Sequence, residues 1–120
     1  MAAKNPRLLN VGGQVPVLLA TALGGTATLV VAAPGAVVDY VVRQIILSNM
    51  GAAANVVHLY FDSSTTVTSV ERIVETSVPA DSTTVLYVNL RMSGATLNMY
   101  GNATVANEVN VTVVGDVEAV

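Results

Sequence analysis

The chain has 120 residues, the size of one domain, and contains no cysteine, one histidine and no tryptophan. Disulfides, thiolate metal sites and cysteine nucleophiles are therefore excluded. Charged residues make up only 11% of the chain, against about 25% in an ordinary soluble domain, and the net charge of −3 gives no reason to expect nucleic-acid binding.

Residues 1–14 form a segment of small and polar residues that includes Pro6. This composition predicts an extended N-terminal arm, followed by a single domain over residues 15–120. A charged start before an apolar run is also typical of a signal peptide. Polar residues and glycines separate the charges from the apolar part, so we favour the arm.

The next stretch, residues 15–33, is uncharged and long enough for a membrane helix. Gly24-Gly25 interrupts it, however, and threonines alternate on either side of the glycines. This pattern favours two strands, residues 17–23 and 27–31, joined as a hairpin at the glycine pair. We therefore expect no membrane span.

The rest of the chain alternates runs rich in Val, Ile, Thr and Tyr with turn residues. The further predicted strands cover residues 37–47, 56–61, 70–78, 83–91, 96–100 and 108–113. Residues 69–76 also fit a helical period, but the stretch is too short to decide, and we keep it as a strand. About eight strands at this spacing predict an all-β fold, an antiparallel sandwich or a barrel.

Two predicted strands alternate clearly enough to assign faces. One face of strand 108–113 consists of three valines, and one face of strand 83–91 contains Val85, Tyr87, Asn89 and Arg91. Four aromatic residues lie within strands, and we expect them to pack in the core: Tyr40, Tyr60, Phe61 and Tyr87.

The search for catalytic chemistry finds no convincing site. His58 lies in an apolar strand, where a hydrogen-bonded sheet histidine is the main interpretation and a pH-sensitive contact across a subunit interface is the alternative. Glu71 and Glu75 would lie about 13 Å apart on one strand face, beyond the spacing of paired glycosidase carboxylates. A solvated edge face explains them better. The sequence predicts no enzyme, no metal site and no cofactor.

The low charge favours assembly over an isolated monomer. A small soluble domain usually has a surface of about 25–35% charged residues, yet this chain has only five basic and eight acidic side chains. Much of its surface must be apolar or hydroxyl-bearing, which is typical of interfaces. A Thr-rich soluble monomer remains the alternative.

Five segments carry a resemblance to a known family: residues 40–49, 55–61, 79–90, 95–101 and 107–115. Their pattern of strands and turns resembles the small β-sandwich virion proteins of tailed bacteriophages, in particular capsid decoration (cement) proteins. The resemblance implies a jelly-roll-like sandwich of about eight strands. It also implies a homotrimer that binds the major capsid protein on the outside of the head and bridges capsomers without covalent bonds.

The resemblance also implies a location on the virion and a segment that contacts the shell. The protein would be made in the bacterial cytoplasm and located on the outer capsid surface, with neither nucleic acid nor membrane as partner. The N-terminal arm is the candidate shell-binding element, through Lys4, Pro6 and Arg7. The alternatives are a phage tail or collar accessory protein, and a carbohydrate- or receptor-binding β-sandwich module.

Overall fold

The computed structural model describes residues 7–8, 21–64 and 66–119, and its described residues form nine strands and no helix. The strands are β1 (Arg7–Leu8), β2 (Thr21–Ala22), β3 (Thr28–Val31), β4 (Gly35–Asn49), β5 (Asn55–Asp62), β6 (Arg72–Val78), β7 (Ser82–Gly94), β8 (Asn98–Ala103) and β9 (Val109–Ala119). The prediction of an all-β fold is confirmed. No helix in the described part of the chain is long and apolar enough to cross a membrane.

The strands form two antiparallel sheets. The first has the order β1-β9-β4-β7, with β2 also paired to β9, and the second has the order β3-β8-β5-β6. Most connections carry the chain from one sheet to the other, and only β5 and β6 are consecutive partners within one sheet. Neighbours in sequence therefore usually face each other across the core.

One hydrophobic core joins the two sheets, so the fold is β-sandwich-like. Ile45, Leu47 and Val111 contribute from the first sheet, and Val57 and Leu59 contribute from the second. The alternation predicted for strand 108–113 is confirmed, because its three valines are buried while the residues between them are half-buried. A β-branched residue at every second position covers one face of a pleated strand, as a core-facing strand requires.

The predicted hairpin at Gly24-Gly25 is wrong. β2 pairs with β9 in the first sheet and β3 pairs with β8 in the second, so the glycine pair carries the chain between sheets. Neither glycine has a positive φ, which a tight hairpin turn would need. Residues 17–20 of the predicted first strand lie outside the described part of the chain.

Several strand boundaries also differ from the prediction: β4 is longer at both ends, β8 covers Asn98–Ala103 rather than 96–100, and β9 continues to Ala119 rather than ending at residue 113. β7 continues to Gly94, beyond the end of the predicted strand 83–91, and Gly94 pairs with Gly35 at the start of β4. β6 begins at Arg72, so Glu71 precedes the strand and does not share a strand face with Glu75. The helical alternative for residues 69–76 is not formed.

Candidate interaction surface

On one side of the sandwich, two outermost strands have a pairing edge that no other described strand occupies. Among the described residues, β7 pairs only with β4, and β6 pairs only with β5. The outermost strand of a sheet presents a row of unpaired backbone N–H and C=O groups that can accept another strand. β6 and β7 contact each other, so one side of the sandwich offers two such edges close together.

An open groove of about 540 Å³ lies between these edges. Residues 73–76 of β6 and residues 85–88 of β7 line it. Most of these side chains are apolar, and Glu75 is the charged one. The groove is therefore suited to apolar or uncharged polar groups rather than to a highly charged ligand.

Tyr87 stands on the outer face of β7, where 78% of it is exposed. The expectation that it packs in the core is wrong. The same expectation is confirmed for Tyr40 and Phe61, which are partly buried against the core, whereas Tyr60 is buried beside His58 and outside the core cluster. Val85 is also exposed on the outer face, so β7 presents a Val and a Tyr two residues apart.

From Ser82 to Tyr87 the β7 edge has no charge, proline or lysine, the residues that usually prevent strands from associating. A register irregularity against β4 follows between Tyr87 and Leu90. β7 is 13 residues long, contains no proline or lysine, and has no charged residue from Ser82 to Leu90. Exposed and half-buried side chains alternate along this stretch without a break. β6, in contrast, has only seven residues, includes charged side chains, and ends just before Pro79. A long, neutral edge such as β7 is a site for strand addition.

A charge cluster on the outer face of the first sheet borders this edge. The Arg91 guanidinium donates from Nη1 to Asp39 Oδ2 (2.8 Å) and from Nη2 to Glu118 Oε1 (3.1 Å). The hydrogen bonds with Glu118 and Asp39 raise the pKa of Arg91 above its ordinary value. Because Asp39 and Glu118 are directly opposite on β4 and β9, Arg91 separates two like charges.

A second ion pair continues this cluster along the sheet. Arg43 Nε donates to Asp116 Oδ2 (3.1 Å), and Arg43 Nη1 donates to Asn89 Oδ1 (3.0 Å). Beneath these side chains, Val41 faces outward yet is only 3% exposed. The charged groups thus cover part of the sheet and link three neighbouring strands.

His58 makes the hydrogen bond that the sequence interpretation expected. Its Nε2 lies 3.2 Å from Glu75 Oε1, and Glu75 also lies 3.6 Å from Arg72 Nη2. The ring is tilted against Tyr60, with centroids 6.2 Å apart. These contacts join β5 to the edge strand β6 on the outer face of the second sheet, so the histidine has a structural partner.

The hydrogen-bond partners of Glu71 differ from those of Glu75. Its carboxylate accepts hydrogen bonds from the Thr68 hydroxyl and from the Thr68 backbone N–H (2.9 Å). These bonds lower the pKa of Glu71 below its ordinary value of 4.5. Glu71 therefore closes the turn that leads into β6 rather than pairing with a second acid.

The predicted arm residues fall largely outside the described chain. Lys4 and Pro6 lie among residues that the structure does not describe, whereas Arg7 begins β1 and is paired with Val117 of β9. The described part of the arm is thus attached to the edge of β9. That edge belongs to the first sheet but lies on the side opposite β7.

The described residues offer no obvious metal-binding cluster, since no three His, Asp or Glu side chains come together there in a suitable arrangement. The strongest features of the described surface are therefore the neutral β7 edge, the adjoining groove and the neighbouring charge cluster. No protein-family model matches the chain, and no curated protein matches it.

Proposed function

We propose that this chain is a non-enzymatic structural protein of a phage virion, a capsid decoration protein that bridges capsomers on the outside of the head. The observation that carries the proposal is the large number of exposed apolar side chains on a chain so poor in charge. The exposed large residues are Leu29, Val37, Met50, Val70, Val85, Tyr87, Leu97 and Val105. An exposed apolar surface is typical of a protein that functions within an assembly.

The distribution of these side chains supports a bridging role. Met50 and Val105 lie in the β4–β5 and β8–β9 connections, at the end of the sandwich where Asn49 is opposite Val109. Val70 and Leu97 lie in connections at the other end, and the molecule measures 52 × 28 × 20 Å. Apolar groups at both ends of an elongated subunit are suited to contacting two neighbours.

We also propose that the sandwich is a jelly roll of eight strands, β2 to β9. Four antiparallel pairs support this topology: β2 with β9, β3 with β8, β4 with β7, and β5 with β6. A long ribbon of such pairs, rolled up so that β4 meets β9 and β5 meets β8, gives two four-stranded sheets. Jelly rolls of this kind are common in viral capsid proteins and in lectins.

The partner in this proposal is the major capsid protein on the outer surface of the virion head. A homotrimer at quasi-threefold positions would attach through several equivalent contacts. Multivalent attachment makes individually weak contacts strong together, which suits a surface of scattered apolar groups. The protein would be made in the bacterial cytoplasm and would need no cofactor.

Immunogold labelling of particles purified from the source phage tests the proposal. An antibody against this chain should label the outside of intact heads, and mass spectrometry of the same particles should detect the chain. Label confined to tails or collars would replace the head assignment with a tail or collar role. Purified particles without the chain would overturn the virion role.

The exposure of Tyr87 favours one alternative function, a carbohydrate- or receptor-binding module. Sugar sites commonly use an exposed aromatic ring, and Tyr87 has polar neighbours on the same face at Asn89 and Arg91. A glycan array with the native chain and the Tyr87→Ala variant tests this function, with Val37→Ala as a control at another exposed site. Binding that is lost only with Tyr87→Ala would favour the sugar-binding role over decoration.

A further inference from the structure

We propose that the free edge of β7 pairs with the β7 edge of a second copy of this chain. The two strands would run antiparallel across a twofold axis and continue the first sheet from one subunit into the other. This contact goes beyond the proposed function and does not depend on it, because it follows from the edge strand alone.

The neutrality of the edge is the first reason to choose a second copy as occupant. Each subunit carries a net charge of −3, so copies repel one another wherever charged surfaces meet. Residues from Ser82 to Leu90 carry no charge, and among them Val85 and Tyr87 are exposed. The β7 edge is thus a place where two like-charged copies can approach without bringing charges together.

The residue pattern of β7 is the second reason, because it complements itself. A continuous sheet requires outward residues to be opposite outward residues. With the twofold axis at Leu86, Val85 of one copy is opposite Tyr87 of the other, and Thr83 is opposite Asn89. All of these residues lie in the uncharged stretch from Ser82 to Leu90.

The outward pairings at the centre of the contact match in chemistry. The Val–Tyr pairs are of the β-branched and aromatic type that stabilises neighbouring antiparallel strands. The Thr–Asn pairs can form hydrogen bonds. Moving the axis to Tyr87 would instead put Val85 opposite Asn89 and Thr83 opposite Arg91, which matches less well.

Symmetry and the groove agree with this arrangement. An antiparallel contact between identical strands is isologous and closes as a dimer, so it protects both edges without forming a fibre. A second strand beside β7 would lie about 4.8 Å away, next to the groove between β6 and β7. If the chain also forms trimers through another surface, the β7 contact would link one trimer to the next.

The absence of native cysteine makes disulfide mapping a direct test. Val85→Cys and Tyr87→Cys variants, one of them mass-labelled, are mixed in equal amounts and oxidised under dilute conditions. In the proposed register, a mixed pair lies directly opposite, about 4.5–5.5 Å between Cβ atoms, whereas like pairs are diagonal at roughly 7–8 Å. Disulfides need short Cβ separations, so mixed dimers should greatly exceed both homodimers.

A matched control sets the level of random cross-linking. Leu29→Cys introduces a thiol at another exposed apolar position, on β3 of the other sheet. Tyr87→Cys homodimers as the main product would overturn the register centred on Leu86. If every variant gives no more disulfide-linked dimer than the Leu29→Cys control, the proposed β7 contact is wrong.

Native mass measured by light scattering over a dilution series gives an independent readout. The Tyr87→Lys variant places a charge at the centre of the contact and should weaken the self-association roughly tenfold or more. Its thermal unfolding should resemble that of Val37→Lys, a control at an exposed site on β4. If the native mass of Tyr87→Lys equals that of the unaltered chain, the β7 proposal is contradicted. This outcome is independent of the immunogold test of the virion role.

Discussion

Gly115 is the residue whose side-chain size matters most for the contact between β4 and β9. The register of β4 shifts between Val42 and Gln44 against both of its neighbours. This irregularity brings the β4 backbone against β9 at Gly115, where an added Cβ would overlap the carbonyl oxygen of Val41. The obstacle is backbone, so it cannot rotate away as a side chain can.

We therefore expect Gly115→Ala to lower the free energy of unfolding by about 1–3 kcal/mol, as overpacking does in well-packed interiors. Gly25→Ala is the matched control, because nothing lies within 4 Å of a Cβ there. It should change stability by no more than about 0.5 kcal/mol. Urea unfolding of both variants checks the pair, and equal losses would contradict the close approach at Gly115.

Asn49 is a buried polar side chain that joins three segments at one end of the sandwich. Its Nδ2 donates to the carbonyl oxygens of Ala53 (2.9 Å), Val78 (3.0 Å) and Pro79 (3.2 Å), and its Oδ1 accepts from Gly51 N–H (2.9 Å). Because the side chain is 2% exposed, water cannot replace these bonds. The amide therefore attaches the end of β6 to the end of β4.

Replacing Asn49 by Ala should cost about 1–3 kcal/mol, the usual penalty for leaving buried polar groups without partners. Asn89→Ala is the control, since Asn89 is an exposed residue that bonds only to the Arg43 side chain. It should remain within about 0.5 kcal/mol of the native chain. Thermal unfolding of the two variants distinguishes them, and a neutral Asn49→Ala would show that the connection is dispensable.

At the scale of elements, Arg91 connects three neighbouring strands of the first sheet, from the edge strand β7 to β4 and β9. It lies on β7 and bonds to acids of β4 and β9 that are opposite each other. Arg91→Gln would leave two like charges facing across a strand pair, which is destabilising. We expect a lower unfolding temperature for this variant at low salt.

The salt dependence identifies the cause of that loss. At about 1 M salt the Debye length is roughly 3 Å, so the repulsion between Asp39 and Glu118 is screened and most of the loss should disappear. Arg43→Gln is the control, because Arg43 balances one acid rather than two opposed ones, and its loss should be smaller. A loss for Arg91→Gln that persists unchanged at high salt would point to lost packing instead.

Most strands from Thr28 onward were predictable because they are rich in β-branched residues and bounded by turn residues. β8 is the exception, because it contains no β-branched residue and the predicted strand 96–100 covers only its first three positions. The sheet partners of the strands were not predictable, and Gly24-Gly25 shows why. Two glycines between strands are compatible with a hairpin turn, and they are equally compatible with a connection that crosses from one sheet to the other. Long-range pairing of β2 with β9 and of β3 with β8 decides between them, and no local pattern reports such pairing.

The candidate site was partly visible in the sequence and was misassigned. The alternation of strand 83–91 placed Val85 and Tyr87 on one face with Asn89 and Arg91, and the two polar residues indicate the outer face. The aromatic side chain nevertheless suggested burial, because both faces of β7 contain apolar residues. That β7 is an edge strand follows only from the sheet order.

At the scale of the whole molecule, the distribution of the few charges leaves one strand edge uncharged. Two arginines and three acids cluster on the outer face of the first sheet, among only five basic and eight acidic side chains in the chain. Of the other described charges, Arg72 and Glu75 lie on β6, and four acids lie at the two ends of the sandwich: Asp62, Glu71, Asp81 and Glu108. The β7 edge from Ser82 to Leu90 is therefore the surface where we expect an assembly contact.

The N-terminal arm belongs to this scale because it would act on a partner outside the fold. Its described part, β1, is only two residues long and pairs with the edge of β9 at Asp116 and Val117. Among the described residues, the buried core cluster begins at Leu23. Removing residues 2–14 should therefore leave the two sheets and their core in place.

If the chain decorates phage heads as proposed, this deletion should abolish its binding to heads that have been stripped of the native protein, measured by co-sedimentation. The combined Lys4→Gln and Arg7→Gln variant separates charge from length, because it retains the arm but removes its two cations. If these cations meet shell carboxylates, its binding should be weaker and should lose most of its salt dependence. Circular dichroism confirms that each variant is folded, and full binding by the folded deletion variant would assign shell attachment to the sandwich instead of the arm.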